Sequence, residues 1–187
     1  MRGLCLVAVL LAACGRAPAV ATPPTLAALA ALRDAFDRND LARATDPEAL
    51  ARAELVHRLA ELHAIQEESV PLGVTADGWR RALDDIHSRF ANAGLLREFE
   101  PARGLLGNGR CAQTAPASVP DALNPVASAR PTWPPFVEQS VRAPLAQRAR
   151  GARAGEFRCE GGTGAFRAVF LPSPSGDGLV VARITVR

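Results

Sequence analysis

At 187 residues the chain has room for one domain of ordinary size, or for a small helical part and a small β part sharing one core. A hydrophobic content of 48% argues for a folded chain, while 15 prolines and 15 glycines require long connections between its elements. Every basic residue is arginine, a bias that fits the codon usage of a GC-rich genome, and the formal net charge of +3 is too small to steer nucleic acid, so no nucleic-acid partner is expected.

The first elements are those of an export leader. Met1-Arg2 supplies a positive start, and Gly3 to Leu11 (GLCLVAVLL) supplies an apolar run of nine residues, too short for the ~20 that span a bilayer core. The run ends at Leu11-Ala12-Ala13-Cys14, which resembles the lipobox of bacterial lipoproteins. That resemblance implies cleavage after residue 13 and a diacylglyceryl group on the Cys14 thiol, usually with a further acyl chain such as palmitate on the new amino terminus. Two or more chains anchor stably, since each buried CH₂ contributes ~0.8 kcal/mol. It also implies, because Gly15 is not the aspartate associated with inner-membrane retention, an outer-membrane location facing the periplasm, with the inner membrane as the alternative. The competing leader is an ordinary signal peptide cut after Ala19-Val20-Ala21, which would release a soluble secreted protein. Residues 14–25 are read as anchor and tether, and Gly15 to Thr25, extended as polyproline II, reach ~34 Å.

Three amphipathic segments follow. Leu26 to Asp40 sets Leu29, Leu32 and Phe36 at helical spacing. Thr45-Asp46-Pro47-Glu48 has the form of a capping box with proline in the first turn, ahead of Leu55, Leu59 and Leu62, and this second helix should end before Pro71. Thr75 can cap a third, whose stripe is Trp79, Leu83, Ile86 and Phe90, with i,i+4 pairs such as Arg80/Asp84 opposite and Gly94 as its stop. Prolines from Pro101 to Pro144 then predict an extended connection with at most one short helix or edge strand. Glu156 to Cys159, Phe166 to Phe170 and Val180 to Val186 read as strands, joined by Gly161-Gly162-Thr163-Gly164 and Pro174-Ser175-Gly176-Asp177-Gly178. The expected fold is α+β: three amphipathic helices packed on a C-terminal three-stranded antiparallel sheet. Its parts are a leader (1–13), a tether (14–25) and one domain (26–187), divided into helical 26–96, proline-rich 101–154 and β meander 156–187. No transmembrane span is expected in the mature chain.

Sites are sparse. The short signatures of serine hydrolases, zincins, nucleotide binders and dithiol redox proteins are all missing, which weighs against an enzyme; no cofactor and no metal are expected, and no catalytic residue is assigned. The glycines at 161–164 lie between strands and are read as a turn, not a phosphate loop. His57 shares a polar face, His63 sits beside Glu67 at the edge of a leucine stripe, and His87 lies near Asp84; each is read as a surface or boundary histidine. In Arg130-Pro131-Thr132-Trp133-Pro134-Pro135-Phe136 the prolines stiffen a segment that presents Trp133 and Phe136, the candidate binding residues, although both can instead close the core. Arg142, Arg148, Arg150 and Arg153 are read as a solvated basic face, with contact to lipid head groups or an acidic partner as the alternative.

With Cys5 removed in the leader and Cys14 lipidated, Cys111 and Cys159 remain as an even pair in an oxidising compartment, so a disulfide between them is expected by elimination. Two free buried thiols or a bridge to another chain are the alternatives. The function expected is that of a lipid-anchored envelope accessory or binding protein contacting another envelope protein or wall component. The alternative is a membrane-tethered periplasmic hydrolase.

Overall fold

The computed structural model describes residues 22–55, 75–89, 93–119, 135 and 138–186. These form an α+β fold whose sheet is antiparallel, with strand order β1-β2-β3-β4: β1 Cys111–Pro116, β2 Arg153–Cys159, β3 Ala165–Pro172 and β4 Leu179–Val186. The expected meander is therefore present and gains a fourth strand at its β2 edge. The described helices are α1 (Pro24–Arg38), α2 (47–55), α3 (Ala76–Arg89), α4 (Ala93–Leu106) and α5 (Ala143–Ala149), five where three were expected.

Helix α1 starts with Pro24 in its first turn, where the missing N–H costs no bond, and stops at Asn39, which adopts a left-handed φ of 53°. Its Ala28, Leu29, Leu32, Ala35 and Phe36 are buried. Helix α4 corrects two expectations. Gly94 does not end a helix but lies in the first turn of this one, and Pro101 sits inside it. Leu95, Phe99, Ala102 and Leu106 recur every three or four residues and are all buried, so burying that stripe outweighs the one hydrogen bond lost at Pro101. Pro144 likewise opens α5 and does not break it, behind a π turn at Glu138–Arg142. The expected irregular connection of 101–154 thus holds the end of α4, β1 and α5.

Both faces of the sheet are used. On the inner face Phe157, Cys159, Phe166, Ala168, Phe170 and Val181 meet α1 and α4 in the main core. Phe157 stacks on Phe166 with centroids 6.0 Å apart and meets Phe170 edge-on at 5.5 Å. On the outer face Val169, Leu171, Val180 and Ala182 form a smaller core with Ala49 of α2 and Leu145 of α5. Strand β3 is consequently buried on both sides from Ala168 to Leu171, a departure from helices laid on one face only. A parallel bridge from Thr45 to Val181, with Val181 N–H donating to Ala44 C=O at 3.0 Å, ties the entry to α2 to the free edge of β4.

Candidate functional site

Cys111 and Cys159 are directly opposite in the β1/β2 register, with Cα atoms 3.9 Å apart, and are joined by a disulfide. On α3 the expected Arg80/Asp84 pair is replaced by Arg80 donating to Asp77 at 2.7 Å. Cys14, Trp133, Phe136, His57 and His63 lie outside the described residues. His87 is exposed on α3, and among the described residues no hydrogen bond or ion pair joins it to Asp84. The described residues hold no group of three or more His, Cys, Asp or Glu side chains placed to bind a metal. None of the described helices is long and apolar enough to cross a membrane.

The strongest polar constellation gathers where α2, α5 and the sheet meet. Asp46 is 1% exposed. Its Oδ1 accepts the Ala49 N–H at 3.1 Å, and its Oδ2 forms an ion pair with Arg148 without hydrogen-bond geometry. Arg148 also donates to the Pro172 carbonyl, so one guanidinium binds the start of α2 to the end of β3. Arg52 donates to Glu48 at 3.1 Å and to the Ser140 carbonyl. The Arg52 hydrogen bond holds the Glu48 carboxyl below its usual range, helped by the charges of Arg52, Arg148 and His87 and opposed by partial burial.

Two expectations change here. Asp46, not Thr45, caps α2: the Thr45 hydroxyl donates back to Leu41 C=O at 2.8 Å, and Glu48 turns outward to Arg52 instead of closing a capping box. The basic run is also not one solvated face, because Arg142 is 3% exposed and Arg148 is committed to Asp46, leaving Arg150 and Arg153 exposed. Sequence reasoning missed the Asp46/Arg148 pair because 102 residues separate its members; an acid at a helix start was the only local signal. Chemically the constellation neutralises buried charge and caps a helix. Its Thr45 hydroxyl donates to the Leu41 carbonyl and so serves the backbone.

Two further features have plain structural uses. The glycine turn after β2 lies against the end of α4, where Thr163 N–H donates to Gly104 C=O at 3.0 Å and Gly162 N–H to Cys159 C=O at 3.1 Å, so these donors serve the fold and not an anion. A shallow cavity of about 250 Å³ is lined by Ala31, Ala35, Arg38, Asp40, Arg43 and Ala44 beside the C-terminal end of α1. No family model, curated protein or solved structure matches this chain.

Proposed function

We propose that this protein is a lipid-anchored component of a bacterial cell envelope, held through Cys14 on the periplasmic side of the outer membrane, where it binds or positions another envelope component. The observation that carries the reading is the Cys111–Cys159 disulfide, which fits an oxidising compartment and so supports export. Cleavage after Ala21 would leave the same pair, so the lipid on Cys14 rests on the lipobox resemblance of Leu11-Ala12-Ala13-Cys14.

The proline-stiffened Trp133 and Phe136 are the proposed contact residues for that component. Mass spectrometry of membrane-extracted protein tests the anchor: an acylated N-terminal Cys14 peptide supports it, while an unmodified N-terminus at Thr22 establishes the secreted alternative. Cross-linking in intact cells tests the contact. A specific cross-linked product lost in Trp133→Ala supports the assignment, and one retained in that variant removes Trp133 from the site.

A further inference from the structure

The outer face of the sheet is covered over only part of its area. Toward the β3/β4 turn it is closed by Ala49 and Leu145 over Val169, Leu171 and Val180. Toward the β2/β3 turn Ser118 lies against Arg167, while Arg158, Arg183 and Thr185 are exposed, and the register fixes their arrangement. Arg158 pairs with Ala165, Glu156 with Arg167, Arg167 with Thr185, and Val169 with Arg183. Because Val169 and Ala154 belong to the outer core, Arg158, Arg167 and Arg183 share its face by the alternation of the pleat. Each arginine lies diagonally from the next across adjacent strands, a step of roughly 7–8 Å, so the three form an oblique stripe across β2, β3 and β4.

Arg158 and Arg183 are exposed, and neither has a hydrogen bond or ion pair among the described residues. Arg167 is half-buried and fixed by donation to the Ser118 carbonyl and hydroxyl, which orders the middle of the stripe. The acid on this part of the face is Glu156, which is itself partnered. Ala112, Ala165 and Thr185 fill the spaces between the arginines. Among the described residues these short side chains leave a broad, shallow surface.

We propose that this arginine stripe is a docking surface for a layer of anionic lipid headgroups. Cations spaced across a shallow sheet match the dispersed phosphates of a membrane surface, which offers charge over an area and not at a point. The inference deepens the anchored reading, for an anchor and a tether of at most the nine residues 15–23 ahead of α1 would hold the stripe within reach of such a surface. It sets an orientation: the outer sheet face turns toward the headgroups.

The test removes the anchor so that the two readings fail separately. The full chain carrying Cys14→Ser, purified after export, is sedimented with vesicles of phosphatidylglycerol and phosphatidylethanolamine or of phosphatidylcholine alone. Binding to the anionic vesicles alone is expected, and it should vanish at 1 M salt, where the screening length is about 3 Å. Each arginine near such a surface supplies about fivefold in affinity, so Arg158→Gln/Arg183→Gln should weaken binding roughly 25-fold. Both side chains are exposed and unpartnered, so the melting temperature should not change. Arg43→Gln/Arg97→Gln, which alters two exposed arginines elsewhere, should retain most of the binding. No binding, equal binding to neutral vesicles, or equal loss in the two double variants overturns the proposal. Binding to a soluble acidic polysaccharide without vesicle binding also overturns it, in favour of a polyanion partner. The mass of the wild-type N-terminus reports on the anchor independently of all these results.

Discussion

Asp46 and Arg148 meet at the junction of α2, α5 and the end of β3, the carboxylate almost wholly buried and the guanidinium about a quarter exposed. The asymmetry determines which partner is harder to remove. Arg148→Ala leaves a desolvated carboxylate facing only its own cap bond, and breaking a buried pair in this way costs about 3–5 kcal/mol. Asp46→Asn keeps an oxygen for the Ala49 N–H and leaves an arginine that can turn to water, so it should cost about 1–3 kcal/mol. Asp46→Ala adds the lost cap, about 1 kcal/mol more. Urea unfolding of the three variants checks the order, and an Arg148→Ala protein as stable as Asp46→Asn contradicts it.

Glu48, one turn into α2, ties stability to pH. Its folded carboxyl sits below the usual range because Arg52 donates to the ionised form. A depressed carboxylate pKa means that the unfolded chain binds protons more readily, so stability is full above the unfolded value of about 4.3 and declines as pH falls toward the folded value. Glu48 is largely exposed, and the effect is correspondingly modest. Glu48→Gln should flatten the acid limb of the stability profile while leaving its neutral plateau nearly level. Chemical denaturation between pH 3 and pH 7 measures both, and an unchanged acid limb would assign the sensitivity to other carboxylates.

The parts of the fold legible in the sequence are those with a strong local period. Strands β2, β3 and β4 alternate and are bounded by glycine turns, and α1 and α3 carry apolar stripes, the start of α3 being marked by Thr75, which accepts the Gly78 N–H at 3.1 Å. Helix α4 was hidden by Gly94 and Pro101, whose local penalties are real but smaller than the burial of Leu95, Phe99 and Leu106. Strand β1 was hidden because Ala112, Gln113 and Thr114 are all exposed, which leaves no alternation to read; its register with β2 and its disulfide hold it. Of the proposed site, the arginines were visible, but only cross-strand register places Arg158, Arg167 and Arg183 on one face. A stripe across three strands has no period in the chain.

The turn between β2 and β3 contains two adjacent glycines that should respond differently to substitution. A Cβ on Gly162 would lie 2.2 Å from the Leu105 carbonyl oxygen, a backbone atom at the end of α4 that cannot move without opening the helix. On Gly161 a Cβ meets nothing within 4 Å, and the only difficulty is a φ of +71°, a conformation asparagine also adopts. Gly162→Ala should therefore destabilise by more than about 2 kcal/mol, in the range of overpacked interiors, and Gly161→Asn by about 1 kcal/mol or less. Thermal unfolding of the two proteins distinguishes them. Equal losses would mean that backbone conformation, and not contact with α4, governs this turn.

The Cys111–Cys159 bridge joins residues 48 positions apart in the chain. Closing a loop of that length in the unfolded chain contributes roughly 4 kcal/mol by chain entropy, a large share of the ~5–15 kcal/mol that stabilises an ordinary domain. The contribution is greatest where other bonds are fewest. Strand β1 lies at an edge, its pairing with β2 is interrupted between Gln113 and Ala115, and four of its six residues are exposed, so few apolar contacts retain it once the covalent link is gone. Reduction should then act in two stages: β1 and the chain that follows it loosen first, while the Phe157/Phe166/Phe170 core persists until more denaturant is added. Hydrogen exchange under reducing conditions reports the first stage as faster exchange at residues 111–116 with protection kept at 166–170. Urea unfolding of Cys111→Ser/Cys159→Ser reports the second as a midpoint lowered by the equivalent of roughly 4 kcal/mol. If β1 and the core instead lose protection together, the sheet is one cooperative unit, and the bridge stabilises all of it and not its edge alone.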